Sequence, residues 1–224
     1  MSARADVPDV ASRQTVHDVL NRLGIGPRRV RAVGSPGSDE NGNWHVWPLA
    51  GKRIVLRRYR QWATGADLAY EHRILDQLAD ARWTVPHALG APIEHDHRWF
   101  CLTAFVPGRP RTNETAAQRR QRGIDLAHLH LALCPLATET GQRPDWRALH
   151  EGTTVHVRID WSAGIAALAD EHPRLAECAH RAAEASATEL TRLGAQDLPP
   201  TLLHGDFTES NVHYKGTKER RLPA

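Results

Sequence analysis

The stretch LLHGDFTESNVHY, residues 202–214, places His204, Gly205 and Asp206 directly after an apolar pair, and Asn211 follows five positions after the Asp. Phosphoryl transfer asks a protein mainly for positioning and charge neutralisation. An Asp that orients a hydroxyl beside an Asn that holds a metal ion is a recurring solution. Asp206 and Asn211 have the spacing of such a pair. Alone, the short motif fits a surface turn after a strand equally well, so the rest of the chain has to decide between the two interpretations.

The first half of the chain combines helix and strand patterns. Residues 12–24 have apolar side chains at helical spacing and end at a glycine, and residues 67–81 form a second amphipathic pattern. Runs rich in β-branched and aromatic residues, separated by turn residues, predict an antiparallel sheet of five strands. These runs are RRVRAV (28–33), NWHVWPL (43–49), RIVLRRY (53–59), VPHALGAPIE (85–94) and RWFCLTAFV (98–106).

The Pro-rich segment PGRPR, residues 107–111, separates this region from a helical one. Residues 114–133 and 165–194 are rich in Ala and poor in strand formers, which favours long helices. We therefore predict an α+β protein with a β-rich lobe over residues 1–106 and a helical lobe over residues 107–224.

The order of these segments, together with H-G-D-x-x-x-x-N at 204–211 and LAHLHLAL at 126–133, resembles the aminoglycoside phosphotransferase and choline-kinase-like family. The matching segments run from about residue 30 to residue 214. The motif also matches the catalytic loop of protein kinases, except that Gly205 replaces an Arg. The resemblance implies a protein-kinase-like two-lobe fold and an ATP- and Mg²⁺-dependent transfer of the γ-phosphate to a hydroxyl group of a small molecule. It also implies that Asp206 accepts the proton of that hydroxyl and that Asn211 holds Mg²⁺.

In this family a Lys on the third strand contacts the nucleotide phosphates, and a Glu on the following helix holds that Lys. By resemblance these positions fall on Arg57, in RIVLRRYR, and on Glu71, in YEHRIL. The Arg is a departure from the family pattern. It can neutralise phosphate and pair with Glu71 bidentately, but it is bulkier than Lys and forked. Taken by itself, Arg57 is more simply interpreted as part of an exposed basic strand edge, and Glu71 as a solvated residue on a helix.

The resemblance assigns two further segments to the nucleotide. GSPGSDENGNWHVW (34–47) lies where the family has a nucleotide-positioning loop, with Ser38 and Asn41 as the candidate residues. This stretch does not match G-x-G-x-x-G, and an ordinary hairpin also needs such turn residues. LTAFVPGR (102–109) corresponds to the hinge between the lobes, where backbone groups of Ala104 through Val106 would hydrogen-bond adenine.

The end of the chain departs from the family pattern. The family places an acidic metal ligand, in an I-D-W or I-D-F segment, soon after the catalytic-loop Asn, and further helices follow. Here Glu219 is the sole carboxylate after Asn211, in the basic segment TKERR, and the IDW at 159–161 precedes Asp206. We interpret the chain as truncated after the catalytic loop, with an incomplete helical lobe, and we expect impaired phosphotransferase activity.

Charge, hydropathy and cysteine usage argue against other classes. The net charge of +3 is spread along the chain, and no nucleic-acid-reading motif occurs. No apolar run is long enough to span a bilayer and the first residues lack the apolar segment of a signal peptide, which predicts a cytoplasmic protein without a membrane partner. The three cysteines are widely spaced, so neither a disulfide framework nor a zinc site is expected.

Two other functions stay open at this point. A catalytically inactive remnant of the same family would bind nucleotide without turnover. A metallophosphatase that uses HGD as metal ligands would need several more Asp, His and Asn ligands, and no companion motif is present. The sequence does not identify the acceptor, whether an aminoglycoside, an amino alcohol, homoserine or a sugar, and it does not identify the oligomeric state.

Overall fold

The computed structural model of the 224-residue chain describes residues 13–33, 41–111, 113–141, 143–144, 161–198, 201–208 and 211–215. The chain divides into two compact units. One comprises residues 1–127 and 204–224, and the other comprises residues 128–203. The boundary between residues 106 and 107 that the sequence suggests stays a prediction.

A five-stranded sheet forms the centre of the first unit. Its strands are β1 (Pro27–Val33), β2 (Gly42–Pro48), β3 (Ile54–Arg58), β4 (Ile93–His95) and β5 (Arg98–Ala104). Their spatial order is β1-β2-β3-β5-β4, and every neighbouring pair is antiparallel. The predicted α+β class with an antiparallel sheet before the helical region is confirmed.

Helix α1 (Arg13–Arg22) packs on one face of this sheet. In β2 the buried Trp44 and Val46 alternate with the half-buried Asn43 and His45, as expected for a strand with one face on the core. The apolar core on this face consists of Val16, Val19, Leu20, Trp44, Val46, Leu56, Phe100 and Leu102. Since successive side chains of a strand point to opposite faces, Arg57, which follows Leu56, lies on the other face of the sheet.

Helix α2 (Gly65–Asp80) begins at a capping box. The hydroxyl of Thr64 accepts a hydrogen bond of 3.2 Å from the Asp67 N–H, and Asp67 Oδ2 accepts one of 3.1 Å from the Thr64 N–H. Leu68, in the first turn, packs in a second buried cluster with Tyr59. The cap therefore fixes where the helix starts and which of its residues face the sheet.

The remaining helices are α3 (Ala116–Thr140), α4 (Trp161–Glu171) and α5 (Pro173–Arg192), followed by a 3-10 turn at Ala195–Asp197. The sequence predicts a helical stretch over 165–194, and the structure divides it at His172. Pro173 lacks an N–H and fits only the first turn of a helix, so a new helix starts there. Within the described part of the chain, none of the helices has both the length and the apolar character needed to cross a membrane.

Strand β4 is shorter than the run predicted over residues 85–94. Upstream of it, Ala88 makes an isolated bridge to Thr103. Pro86 and Pro92 flank this bridge and cannot donate to a ladder. The continuous strand is therefore limited to the residues after Pro92.

Candidate active site

The sheet and α2 bring Arg57 and Glu71 together. Arg57 Nη1 lies 3.5 Å from Glu71 Oε1, so the predicted ion pair is confirmed. It is a single contact instead of the bidentate pair that a guanidinium allows. The exposed fractions of the two side chains are 26% and 27%, and Arg57 Nε has no hydrogen-bond partner among the described residues. Because Nε is buried, an anionic ligand could approach only the exposed part of the Arg57 side chain.

A buried polar pair adjoins Arg57. The guanidinium carbon lies 4.9 Å from the centre of the Tyr59 ring, and the Tyr59 hydroxyl oxygen lies 2.8 Å from His72 Nε2. Burial raises the pKa of Tyr59 and lowers the pKa of His72. Both shifts favour the neutral forms, so Tyr59 and His72 share one hydrogen bond between uncharged groups. Burial also raises the pKa of Cys101, which lies opposite Arg57 in the sheet, to about 11.

The H-G-D segment forms a turn in the first unit. Gly205 has a φ of +77°, in the left-handed region that glycine adopts without a Cβ penalty. The Asp206 N–H donates a hydrogen bond of 3.3 Å to His204 Nδ1. The rings of His204 and Phe207 pack edge to face, with centroids 5.1 Å apart. Neighbouring residues thus fix the backbone on both sides of Asp206.

Asp206 and Asn211 lie side by side. Asn211 Nδ2 donates to Asp206 Oδ2 at 2.8 Å and to the Asp206 carbonyl oxygen at 3.0 Å. Because the amide nitrogen makes both bonds, the amide oxygen of Asn211 is left for another partner. A carboxylate and an amide oxygen are hard donors of the kind that Mg²⁺ prefers, and Mg²⁺ usually takes its other ligands from phosphate and water. The amide oxygen of Asn211 could therefore supply one ligand to a Mg²⁺ ion.

No group of three or more His, Cys, Asp or Glu that could hold a metal occurs among the residues that the structure describes. Several sequence-predicted positions lie outside those residues, namely Ser38, Glu219 and residues 159–160 of the IDW segment. Trp161, the last residue of that segment, begins α4. Asn41 is described: its Oδ1 accepts a hydrogen bond of 3.2 Å from the Arg60 N–H, next to the end of β3. Its contact with a nucleotide stays a prediction.

The predicted hinge segment follows β5. The Ala104 N–H donates to the His87 carbonyl oxygen at 2.9 Å, so a contact of Ala104 with adenine is limited to its carbonyl group. Val106 is half-buried, and its contact with adenine stays a prediction.

An aromatic and basic cluster surrounds Phe105, the middle residue of the predicted hinge segment. No sequence motif indicated this cluster. The guanidinium carbon of Arg53 lies 3.3 Å from the centre of the Phe105 ring. The ring of His45 meets Phe105 edge to face, with centroids 5.3 Å apart. Burial and the charge of Arg53 lower the pKa of His45. The alternation of β2 could have placed His45 on this face, but not in contact with Phe105.

The chain after Asn211 returns to the linker that follows β5. Arg109 and Tyr214 exchange two backbone hydrogen bonds, of 3.1 Å and 3.0 Å. Gly108 has a φ of +128°, and a Cβ at this position would lie 3.0 Å from the Tyr214 carbonyl oxygen. The guanidinium carbon of Arg111 lies 3.4 Å from the centre of the Tyr214 ring. The segment that carries Asp206 and Asn211 is therefore anchored downstream.

Two side chains of α3 also reach this segment, and sequence reasoning missed both. Arg122 Nη1 donates to the Phe207 carbonyl oxygen at 2.9 Å. The Tyr214 hydroxyl donates to Asp125 Oδ2 at 3.3 Å. Burial, followed by the Asp125 carboxylate, raises the pKa of Tyr214. The three-residue spacing of Arg122 and Asp125, which puts both on one face of a helix, is the only signal for them in the sequence.

The model of the phosphotransferase enzyme family matches residues 34–222. A solved spectinomycin phosphotransferase, in complex with ADP and spectinomycin, is 17% identical with a TM-score of 0.51, and the match covers 94% of this chain and 67% of that chain. The apoenzyme of macrolide 2′-phosphotransferase from Brachybacterium faecium is 19% identical with a TM-score of 0.50, and the match covers 90% of this chain and 67% of that chain.

A thermostable mutant of an aminoglycoside phosphotransferase, in a ternary complex with ADP and hygromycin B, is 14% identical with a TM-score of 0.41. That match covers 53% of this chain and 38% of the other chain, so it spans well under half of the solved phosphotransferase. No curated protein matches the sequence.

The spectinomycin and macrolide phosphotransferases show the fold, and they confirm the predicted kinase-like architecture. The family match covers strands β2 to β5, α2, the helical region and the H-G-D loop, which is most of the chain. The chain belongs to the phosphotransferase enzyme family.

Proposed function

We propose that the chain is an ATP-dependent phosphotransferase that transfers the γ-phosphate to a hydroxyl group of a small molecule, such as an aminoglycoside, an amino alcohol, homoserine or a sugar-like compound. The observation that carries the proposal is the 2.8 Å hydrogen bond between Asn211 Nδ2 and Asp206 Oδ2. It holds a carboxylate and an amide together in the motif where phosphotransferases of the kinase-like fold carry their catalytic pair.

Asp206 is the proposed proton acceptor. The acceptor hydroxyl donates a hydrogen bond to its carboxylate, and the hydroxyl oxygen attacks the γ-phosphorus. The new bond joins this oxygen to phosphorus, the bond from phosphorus to the β–γ bridging oxygen breaks, and the hydroxyl proton passes to Asp206. Because Asn211 already donates to Oδ2, Oδ1 is the atom that receives the proton.

Arg57 and Glu71 form the proposed phosphate site. The N–H groups of Arg57 neutralise nucleotide phosphates, and the 3.5 Å contact with Glu71 limits the rotation of the guanidinium. When bound, ATP supplies the phosphoryl group and Mg²⁺ neutralises charge on its phosphates, with Asn211 as the residue that would hold the ion.

The base of the nucleotide is assigned to the hinge. The carbonyl of Ala104 and the backbone of Val106 are the proposed adenine contacts, and Ser38 and Asn41 belong to the proposed nucleotide-positioning loop. The solved spectinomycin phosphotransferase carries ADP and spectinomycin, so spectinomycin is the first acceptor to be tested.

The test is a transfer assay with γ-labelled ATP and Mg²⁺ and a panel of spectinomycin, hygromycin B, a macrolide, choline, homoserine and simple sugars. We expect a labelled product from at least one acceptor. Asp206→Ala abolishes it, whereas Asp80→Ala, which changes an exposed aspartate on α2, leaves it unchanged. Nucleotide binding without transfer to any acceptor would identify an inactive remnant of the family. Phosphate release from a generic ester without nucleotide would identify a phosphatase and refute the proposal.

A further inference from the structure

The side chain of Arg122 on α3 makes two hydrogen bonds with different parts of the first unit. Its Nε donates to Glu114 Oε2 at 2.9 Å, and its Nη1 donates to the Phe207 carbonyl oxygen at 2.9 Å. Phe207 follows Asp206 directly in the chain, so the second bond fixes the peptide group next to the proposed proton acceptor.

Glu114 holds Arg122 from a buried position. Its side chain is 1% exposed, compared with 23% for Arg122. The backbone carbonyl of Glu114 in turn accepts a hydrogen bond of 2.6 Å from Arg119 Nη1. A buried carboxylate is tolerated when it is paired and hydrogen-bonded. Glu114 Oε1 has no hydrogen bond to any described residue, so Arg122 is the partner of this carboxylate in the described part of the chain.

A second contact shows that α3 holds the loop at two points. Asp125 lies three residues after Arg122, on the same face of the helix, and accepts from the Tyr214 hydroxyl at 3.3 Å. The segment from Phe207 to Tyr214, which includes Asn211, is therefore attached to one helix near both of its ends.

We propose that Arg122 is a positioning residue for phosphoryl transfer, with Glu114 as the residue that orients it. The forked guanidinium spans from the buried carboxylate to the Phe207 carbonyl and thereby sets the orientation of Asp206 relative to Asn211. A Lys at position 122 has a single charged centre and cannot make both bonds in this geometry. The inference rests on the proposed function for its effect on rate, but the geometric effect can be measured without any acceptor.

The main variant is Glu114→Gln combined with Arg122→Met, because Arg122→Ala alone would leave a buried carboxylate without its partner and endanger folding. Arg122→Lys is the second variant. The matched control is Arg120→Met, which removes an exposed arginine from the same helix. Thermal unfolding verifies that each variant is folded before the other measurements.

The first readout is the pair of side-chain amide resonances of Asn211 in the full chain, assigned by their loss in Asn211→Ala. We expect them to move toward the values of a free asparagine in the double variant and in Arg122→Lys, and to stay in place in Arg120→Met. This readout holds whether or not the chain transfers phosphate, so it separates a failure of the inference from a failure of the proposed function.

The second readout is kinetic, with ATP and the acceptor that the transfer assay identifies. A displacement of reacting groups by about 1 Å can cost on the order of a hundredfold in rate. We expect kcat to fall at least about tenfold in the double variant, with the nucleotide dissociation constant changed less than about twofold. Unchanged Asn211 resonances in a folded double variant would overturn the inference, as would an equal loss of kcat in Arg120→Met.

Discussion

Gly108→Ala is expected to release the downstream anchor of the H-G-D loop. Gly108 has a φ of +128°, and an added Cβ would lie 3.0 Å from the Tyr214 carbonyl oxygen and 3.1 Å from His213 Cβ. Two costs follow. A side chain in this backbone region costs of order 1–3 kcal/mol, and the close contact with backbone forces the Tyr214 segment away from the linker.

The second cost can be worked out from the hydrogen bonds that would open. Arg109 and Tyr214 exchange two backbone bonds, of 3.1 Å and 3.0 Å, and each contributes about 0.5–1.5 kcal/mol net. Arg109 is exposed, so the lower half of that range applies and the pair contributes about 1–2 kcal/mol. A change of this size corresponds to a factor of about 5–30 in the opening equilibrium.

Amide hydrogen exchange measured by NMR tests this expectation. In Gly108→Ala the amides of Arg109 and Tyr214 should exchange about 5–30 times faster than in the unmodified chain. Gly51→Ala is the matched control, because Gly51 has a φ of +95° but a Cβ there would meet nothing within 4 Å. Gly51→Ala introduces the unfavourable backbone conformation without the close contact. The exchange rates of the Arg109 and Tyr214 amides should therefore stay unchanged. Exchange at the original rate in Gly108→Ala would refute the steric argument.

Three further outcomes are expected. Arg57→Ala should weaken the binding of a non-hydrolysable ATP analogue about ten- to a hundredfold by calorimetry, because hydrogen bonds to charged groups contribute about 1.5–3 kcal/mol, whereas Asp206→Ala should leave the affinity nearly unchanged. Cys101 should resist iodoacetamide at pH 8 in the folded chain while the two exposed cysteines react, because its thiol is buried and has a pKa of about 11. His72→Phe should lower the free energy of unfolding by about 1–3 kcal/mol, because it leaves the buried Tyr59 hydroxyl without its hydrogen-bond partner. The lowered pKa of His72 also means that the unfolded chain binds more protons below about pH 6.5, so stability should fall as the pH drops from there toward the folded pKa, and His72→Phe should reduce that slope.

Each of these outcomes has a clear contrary result. Equal losses of affinity in the Arg57 and Asp206 variants would contradict the division between phosphate binding and proton acceptance. Mass spectrometry that finds Cys101 alkylated as fast as the exposed thiols would contradict its burial. Urea unfolding curves of His72→Phe that match the unmodified chain at pH 7.5 and at pH 5.5 would show that the Tyr59 hydroxyl is satisfied in another way.

The sequence predicts those parts of the site that depend on local pattern and chain order. A strand with Arg57, followed by a helix with Glu71, leads to the observed contact of 3.5 Å because a short connection folds the helix back onto the sheet. The hydrogen-bonded pair of Asp206 and Asn211 is separated by only five positions in the sequence and is local as well. These contacts span few residues, so periodicity and motif spacing are enough to anticipate them.

The contacts that hold the loop in place could not be predicted in this way. Arg122 and Phe207 are separated by 85 positions, and their bond depends on how α3 packs in the first unit. From the sequence alone Gly108 is an ordinary linker glycine, because only the structure shows that Tyr214 lies against it. Packing between distant segments determines both of these features. The division of the helix predicted over 165–194 has a local cause instead, because Pro173 starts a separate helix.

The capping box at the start of α2 restricts which changes of length the gene can accept. The cap of Thr64 and Asp67 fixes the start of the helix, and each added residue turns the following positions by about 100° around the helix axis. An insertion or deletion between Asp67 and Glu71 would therefore rotate the glutamate away from Arg57. A change of length in residues 60–63, before the cap, leaves the position of Glu71 around the helix axis unchanged. Homologues are thus expected to differ in length before the cap and to keep a constant spacing after it.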